Sequence, residues 1–216
     1  MRALIANGTG RYADPWHPFE RTTPLLTTAL TDAGFEVAVE DDVDRALTRL
    51  AGVDLLVLNA GAPADGEAPP AHAGKGLDSA LASGMGILAI HIGLRSLQEH
   101  AGGPELLGGR WVDDVSWHPP LGVTPIRGGV LPDGTPIADF DVEDERYLGL
   151  RLTDDRAEVA HHAHDGRTAP TAWVREAGAA RVAVDLLGHD ERSYDSAGHR
   201  TMLVSLAWWA ARRASS

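Results

Sequence analysis

The stretch Gly86-Ile87-Leu88-Ala89-Ile90-His91-Ile92-Gly93-Leu94 decides the fold. A short apolar run unbroken by polar residues is the pattern of a strand buried on both faces of a parallel sheet. It ends on one polar side chain, His91, and Gly93 then lets the chain turn sharply into Arg95 to His100, which is expected to be helical. Strand, turn and helix make an elbow of the kind that exposes a reactive side chain at a sheet edge. A histidine that simply caps a buried strand end fits the same spacing.

Upstream, apolar runs alternate with amphipathic segments, the signature of strands and helices around a largely parallel sheet. Strands are predicted at Arg2 to Asn7, Phe35 to Glu40 and Asp54 to Asn59. Thr23-Pro24 reads as a helix start, with Leu26, Ala29, Leu30 and Ala33 at helical spacing before Gly34. Asp44 to Leu50 and Leu77 to Ser83 are further helices, and Pro63 to Pro70 is a loop. Downstream, strands are expected at Gly122 to Ile126, Tyr147 to Leu152, Glu158 to His162, Ala172 to Arg175 and Arg181 to Leu187. A last helix carries the apolar stripe Leu203, Leu206, Ala207 and Ala210. With no repeat or low-complexity tract, residues 1–216 read as a single α/β domain.

Composition narrows the function. The chain has 31 acidic against 19 basic residues, a formal charge of −12, and no cysteine. The acid excess argues against nucleic acid and against an anionic membrane surface, since both need basic patches. The longest apolar stretch, Met202 to Ala211, is too short to span a membrane, and the first residues read as a strand rather than a secretory signal. A cytoplasmic protein with a small-molecule substrate is the expectation. The apolar last helix with Trp208 and Trp209 also allows a homodimer, although burial within the domain explains it equally well. Without cysteine there is no disulfide, no thiolate metal ligand and no thiol nucleophile.

In an open parallel sheet, ligands bind beyond the carboxyl ends of the strands. That places Asn7 to His17, Asn59 to Gly61 and His91 to Gly93 near a site. His17-Pro18 and His118-Pro119 share a restricted, extended backbone before proline, which limits where each imidazole points. Trp111 and Trp117 offer faces for stacking on sugar rings, with core burial the competing role for Trp111. His161-His162-Ala163-His164 precedes the turn signal Asp165-Gly166 and reads as a solvated hairpin end rather than a metal tract. Asn7-Gly8-Thr9-Gly10 completes no nucleotide-binding pattern.

At this point the sequence resembles a family. Class I glutamine amidotransferases carry a cysteine where His91 stands, with a late His-Pro-Glu where His189-Asp190-Glu191 follows a strand. The chain is most similar to the ThuA-like (trehalose utilisation) branch of that superfamily, over nearly its whole length. The matching blocks are His17-Pro18-Phe19-Glu20 with Thr22-Thr23-Pro24, Asp54 to Asn59, Leu88-Ala89-Ile90-His91, Leu106 to Val112 and His118-Pro119-Pro120. Asp144-Glu145-Arg146-Tyr147, Trp173-Val174-Arg175, Gly178 with Arg181-Val182, and Leu187-Gly188-His189-Asp190 complete the series. The resemblance implies a flavodoxin-like three-layer sandwich with a mostly parallel central sheet, class I glutamine amidotransferase-like. It further implies that His91, His118, Glu145 and His189 converge on one pocket, in a family of disaccharide and keto-sugar metabolism.

Glutaminase chemistry does not follow, because an imidazole has no covalent role comparable to that of a thiolate in amide hydrolysis. The residues instead favour proton transfer beside a sugar carbonyl. His91 and His189 are the acid/base candidates, Glu145 a second base or metal ligand, and His118 a polariser of substrate oxygen. Asp190 or Glu191 would orient His189. Asn7, His17, Asn59, Trp117, Tyr147 and Asp190 are candidate substrate contacts. Two alternatives stay open: a non-catalytic sugar-binding or regulatory domain, and a metal hydrolase in which His91, His118, Glu145 and His189 hold a divalent ion such as zinc.

Overall fold

The structure is a computed structural model that describes residues 1–212. Its first half runs β1 (Arg2–Asn7), α1 (Phe19–Asp32), β2 (Glu36–Glu40), α2 (Val43–Leu47), β3 (Leu55–Asn59), α3 (Ala71–Ala82) and β4 (Gly86–Ile90). A 3-10 turn at His91–Arg95 leads to α4 (Gly103–Leu107), β5 (Gly109–Arg110), β6 (Gly122–Gly128), β7 (Phe140–Asp144) and β8 (Arg151–Leu152). The hairpins β9 (Ala157–His164), β10 (Arg167–Ala177) and β11 (Ala180–Asp185) follow, and α5 (Glu191–Asp195) and α6 (Ala197–Ala211) close the described chain.

Nine strands form one sheet in the order β2-β1-β3-β4-β11-β10-β9-β6-β7. The first five are parallel and the last four extend them antiparallel. With β11 as the fifth strand, the parallel half has the flavodoxin-like order 2-1-3-4-5. Side chains alternate across it. Ala3 and Ile5 of β1 join Leu26 and Leu30 of α1 and Leu203 and Leu206 of α6 on one face. Leu4 and Ala6 join Leu47 of α2 and Leu77 of α3 on the other. Helices on both faces give the three-layer sandwich, and β3 and β4 are buried throughout, as their uninterrupted apolar runs require.

Several expected boundaries move, each for a local reason. α1 begins at Phe19 rather than at Thr23-Pro24, so Pro24 lies inside the helix. The phenyl ring of Phe19 sits so close to Gly8 that a Cβ there would lie 2.5 Å from it, and this contact extends the helix upstream. α3 starts at Ala71, ahead of the expected Leu77. Its glycines hide a helical signal but serve close approach, since a Cβ at Gly76 would meet the Leu47 carbonyl of α2 at 2.2 Å. Arg95 to His100 is not an α-helix. Of Tyr147 to Leu152 only Arg151–Leu152 is strand, because Gly149 takes a positive φ of 69°. β7 and α4 were not expected at all.

The two indoles of α6 are accounted for within the chain: Trp209 is buried and Trp208 packs tilted against Phe35 with centroids 4.5 Å apart. In the β9–β10 hairpin Asp165 and Gly166 both take positive φ, as the turn signal demands. His162, however, is not solvated: it is buried and its Nδ1 lies 3.0 Å from the Thr171 hydroxyl.

Beneath the sheet edge, His199 of α6 donates from Nδ1 to the Ser193 carbonyl (2.9 Å) and from Nε2 to Asp185 (3.0 Å). Burial alone would depress its pKa, but the Asp185 carboxylate outweighs that and raises it above its ordinary value. The stability it contributes is therefore complete below about pH 6.5 and is lost as pH rises through the raised folded value. His199→Gln should cost about 3–5 kcal/mol in urea unfolding at pH 6, with the gap to the parent chain closing at alkaline pH. An equal cost at every pH would contradict this pairing.

Candidate functional site

Four loops beyond the carboxyl ends of β1, β4, β7 and β11 meet at one point. β4 delivers His91 in a left-handed conformation, φ 49°, an uncommon state for a residue with a side chain and one that concentrates at functional sites. Gly93 makes that elbow possible: a Cβ there would lie 2.2 Å from the backbone carbonyl of Leu58 on β3. His91 Nδ1 donates to the Leu186 carbonyl at 2.7 Å, which fixes the ring and leaves the Nε2 lone pair facing the cluster. The Tyr147 hydroxyl donates to that Nε2 at 2.9 Å.

Glu145 follows β7 directly. Its Oε2 lies 3.4 Å from His91 Nε2 and 3.4 Å from His189 Nδ1, and its Oε1 lies 3.4 Å from His118 Nδ1. The buried Asp144 holds this arrangement from behind, accepting the backbone N–H of Glu145 itself (2.7 Å) and that of Gly188 (2.7 Å), which precedes His189. His17 enters from the loop after β1, with Nδ1 on Asp14 at 2.8 Å. Its ring centroid is 5.0 Å from that of His91 and 4.8 Å from that of His189.

The protonation states differ across the cluster. Burial pushes His91 down to about 4 and also lowers His189. Burial would raise Glu145, but the imidazoles of His91, His189 and His118 around it hold the carboxyl below its usual range. Burial, reinforced by Glu145, keeps the Tyr147 phenol well above its ordinary value and hence a donor. At neutral pH the site pairs a carboxylate with uncharged rings at His91 and His189.

Above these groups opens a cavity of about 360 Å³ lined by Asp14, Trp16, His17, Trp111, His118 and His189, with Arg95, Glu145 and Tyr147 completing its walls. His91, His118, Glu145 and His189 thus come together, and His17 and Tyr147 join them. Other candidate contacts do not. Asn7 donates to Asp41 (2.9 Å) and accepts from Thr23 (2.7 Å), while Asn59 donates to Thr22 and Thr23, so both tie strand ends to α1. Trp117 stands half exposed outside the cavity lining, edge-on to His164. Asp190 caps α5 and pairs with Arg192, and Glu191 pairs with Arg21 at 3.1 Å, so neither orients His189. Sequence reasoning missed Asp14, Trp16 and Arg95. The spacing Asp14-x-x-His17 was the available signal for the first, and an exposed Trp beside a strand-end loop for the second.

The profile of a family described as trehalose utilisation matches residues 2–210. The chain belongs to the ThuA family. Among solved structures, a ThuA-like protein from Parabacteroides merdae aligns with a TM-score of 0.79 at 17% identity, covering 100% of this chain and 92% of that one. A ThuA-like protein from Bacteroides uniformis aligns at 0.66 and 13% identity, covering 97% and 90%. A cytoplasmic protein of Salmonella typhimurium aligns at 0.58 and 12% identity, covering 96% and 98%. At such identities the likeness is one of fold. No curated protein gives a significant match. Among the described residues no helix is long and apolar enough to cross a membrane.

In this ThuA-family chain the elbow depends on Gly93. Gly93→Ala should destabilise the fold by about 1–3 kcal/mol in urea unfolding, because the clashing atom is backbone and the elbow must move to admit the methyl. An unchanged midpoint would show that the elbow is not held as tightly as described.

Proposed function

We propose that the protein is an enzyme of carbohydrate metabolism that moves a proton on a keto-sugar, in the manner of an isomerase. The observation that carries this reading is His118. It lines the cavity with 39% of its side chain exposed, while its Nδ1 lies 3.1 Å from the Pro119 carbonyl and 3.4 Å from the Glu145 carboxylate, which leaves Nε2 free to act as the base. An accessible imidazole backed by a carboxylate is suited to general base work, since the carboxylate stabilises the imidazolium that forms. His91 is unsuited to direct proton exchange with a ligand, because both ring nitrogens are engaged and the side chain is 2% exposed.

In this reading His118 removes a proton from the carbon beside the ketone. The C–H electron pair moves into the carbon–carbon bond, and the carbonyl oxygen takes up negative charge. Arg95 and His189, on the same walls, face that charge. The hydroxyl on the first carbon then gives its proton to the former carbonyl oxygen as its own carbonyl forms, and the double-bond electron pair takes the proton from His118 at the former carbonyl carbon, which completes the shift. Trp111 in the wall and Trp16 at the mouth, the latter 77% exposed, supply aromatic faces of the sort that stack on sugar rings. The volume lies at the small end of ligand cavities, about 300–1,000 Å³, and suits one ring held inside with any second ring outside. The family's description as trehalose utilisation supports the substrate class. A cytoplasmic location belongs to the same proposal, supported by the two Salmonella typhimurium structural relatives described as cytoplasmic proteins.

The test is incubation with a keto-disaccharide in deuterated water, followed by NMR. Solvent deuterium should enter at the carbon beside the ketone, and His118→Gln should slow that exchange by about 10²–10⁴-fold. Thermal stabilisation by the sugar without exchange would favour a non-catalytic binding domain. Exchange at an unchanged rate in His118→Gln would remove His118 from the chemistry.

A further inference from the structure

At the floor of the cavity the cluster has a feature that proton transfer does not explain. His17, His91, Glu145 and His189 each present one donor atom, and these four atoms all lie within 4.8 Å of one another. His17 Nε2 and His189 Nδ1 are buried and have no hydrogen-bond partner among the described residues. Unpartnered buried nitrogens are uncommon and costly, and two aimed at one carboxylate oxygen and a third ring call for a shared partner.

We propose that these four side chains form a binding site for one divalent transition-metal ion, with His17 rather than His118 as the fourth ligand. The spacing fits. The two separations of 3.4 Å from Glu145 Oε2, to His91 Nε2 and His189 Nδ1, are long for hydrogen bonds. They equal the edge of a tetrahedron whose centre lies about 2.0–2.1 Å from each corner, the usual zinc–nitrogen and zinc–oxygen distance.

The outward nitrogens are also fixed as a metal site requires. Ligating histidines ordinarily give their other N–H to a carboxylate or a backbone carbonyl, which sets the tautomer and aims the lone pair inward. His17 does this with Asp14 at 2.8 Å and His91 with the Leu186 carbonyl at 2.7 Å. Imidazole nitrogens with one carboxylate oxygen are the donor set of zinc and its first-row neighbours rather than of magnesium or calcium. The division of Glu145 is consistent with the proposed chemistry: Oε2 faces the ion, while Oε1 remains beside His118. One hydrogen bond must yield, that from Tyr147 to His91 Nε2, which frees the phenol to face whatever enters the cavity.

The site is independent of the substrate and is tested without one. The full chain, stripped with a chelator and dialysed, is titrated calorimetrically with Zn²⁺, and with Co²⁺ while recording the visible spectrum. One ion per chain is expected, with the intense visible bands of low-coordinate cobalt. His17→Ala and His189→Ala should each abolish stoichiometric binding, and Asp14→Asn should weaken it by about 10–100-fold through the ring it orients. Tyr147→Phe should bind at least as tightly as the parent, since it removes only the bond that must yield. His164→Ala, outside the cluster, should bind as the parent does. Circular dichroism of the metal-free variants confirms that each is folded. Absence of stoichiometric binding by the parent chain would overturn the proposal, as would unchanged binding in folded His17→Ala or loss of binding in His164→Ala. Metal binding without deuterium exchange would leave this site standing while rejecting the keto-sugar chemistry, and the reverse result would do the opposite.

Discussion

One carboxylate organises the functional end of this molecule. Glu145 lies 3.4 Å from imidazole nitrogens contributed by three separate segments, with its side chain only 11% exposed. A buried anion is costly to desolvate unless it is surrounded by donors or a cation, and the lone pairs of His91 and His17 supply no donor, a constraint that the proposed ion would relieve. The left-handed backbone of His91, the carbonyl that holds its ring and the pairing of His17 with Asp14 all orient groups toward that charge.

The sheet makes this possible by bringing distant segments to one edge. β1, β4 and β11 are parallel, so their carboxyl ends lie together, and each is followed by a loop carrying one histidine of the cluster. β7 stands at the far end of the strand order, but four successive antiparallel pairings return it to the direction of β11, so its carboxyl end reaches the same edge, where its last residue, Asp144, accepts the Gly188 backbone N–H and joins the β7 loop to the β11 loop. Buried at 1% exposure, Asp144 has its pKa pushed up to about 7 by desolvation, which the backbone N–H groups only partly offset. A strained elbow and a buried carboxylate are stability sacrificed for position, which is the usual character of a functional site.

Much of this was legible in the chain. The apolar run before His91 could only be a strand buried on two faces, and the sandwich follows from it. The family resemblance brought His118, Glu145 and His189 to the same pocket. What escaped were contacts that depend on tertiary approach. Asn7 and Asn59 stand at strand ends, where ligands bind, but Thr22 and Thr23 of α1 occupy their side chains. The helix-start reading at Thr23-Pro24 missed the first turn, where Phe19 packs against Gly8 and the backbone N–H groups of Arg21 and Thr22 donate to the Pro18 carbonyl. β7 was missed because Phe140-Asp141-Val142-Glu143-Asp144 is mostly acidic, and only pairing with β6 and burial of Val142 and Asp144 make it a strand. The zero cysteine count proved local in meaning: at the elbow, where the resemblance to the amidotransferases would put a thiol, stands an imidazole locked into a polar cluster.

The central claim is that the imidazoles at the floor of the cavity are fixed in one tautomer with their lone pairs directed at a common point. Long-range proton–nitrogen correlation NMR on the metal-free, histidine-labelled protein at neutral pH reads this directly. The account predicts that His17 and His91 both carry their proton on Nδ1 and have an unprotonated Nε2. A proton on Nε2 of either ring would contradict it.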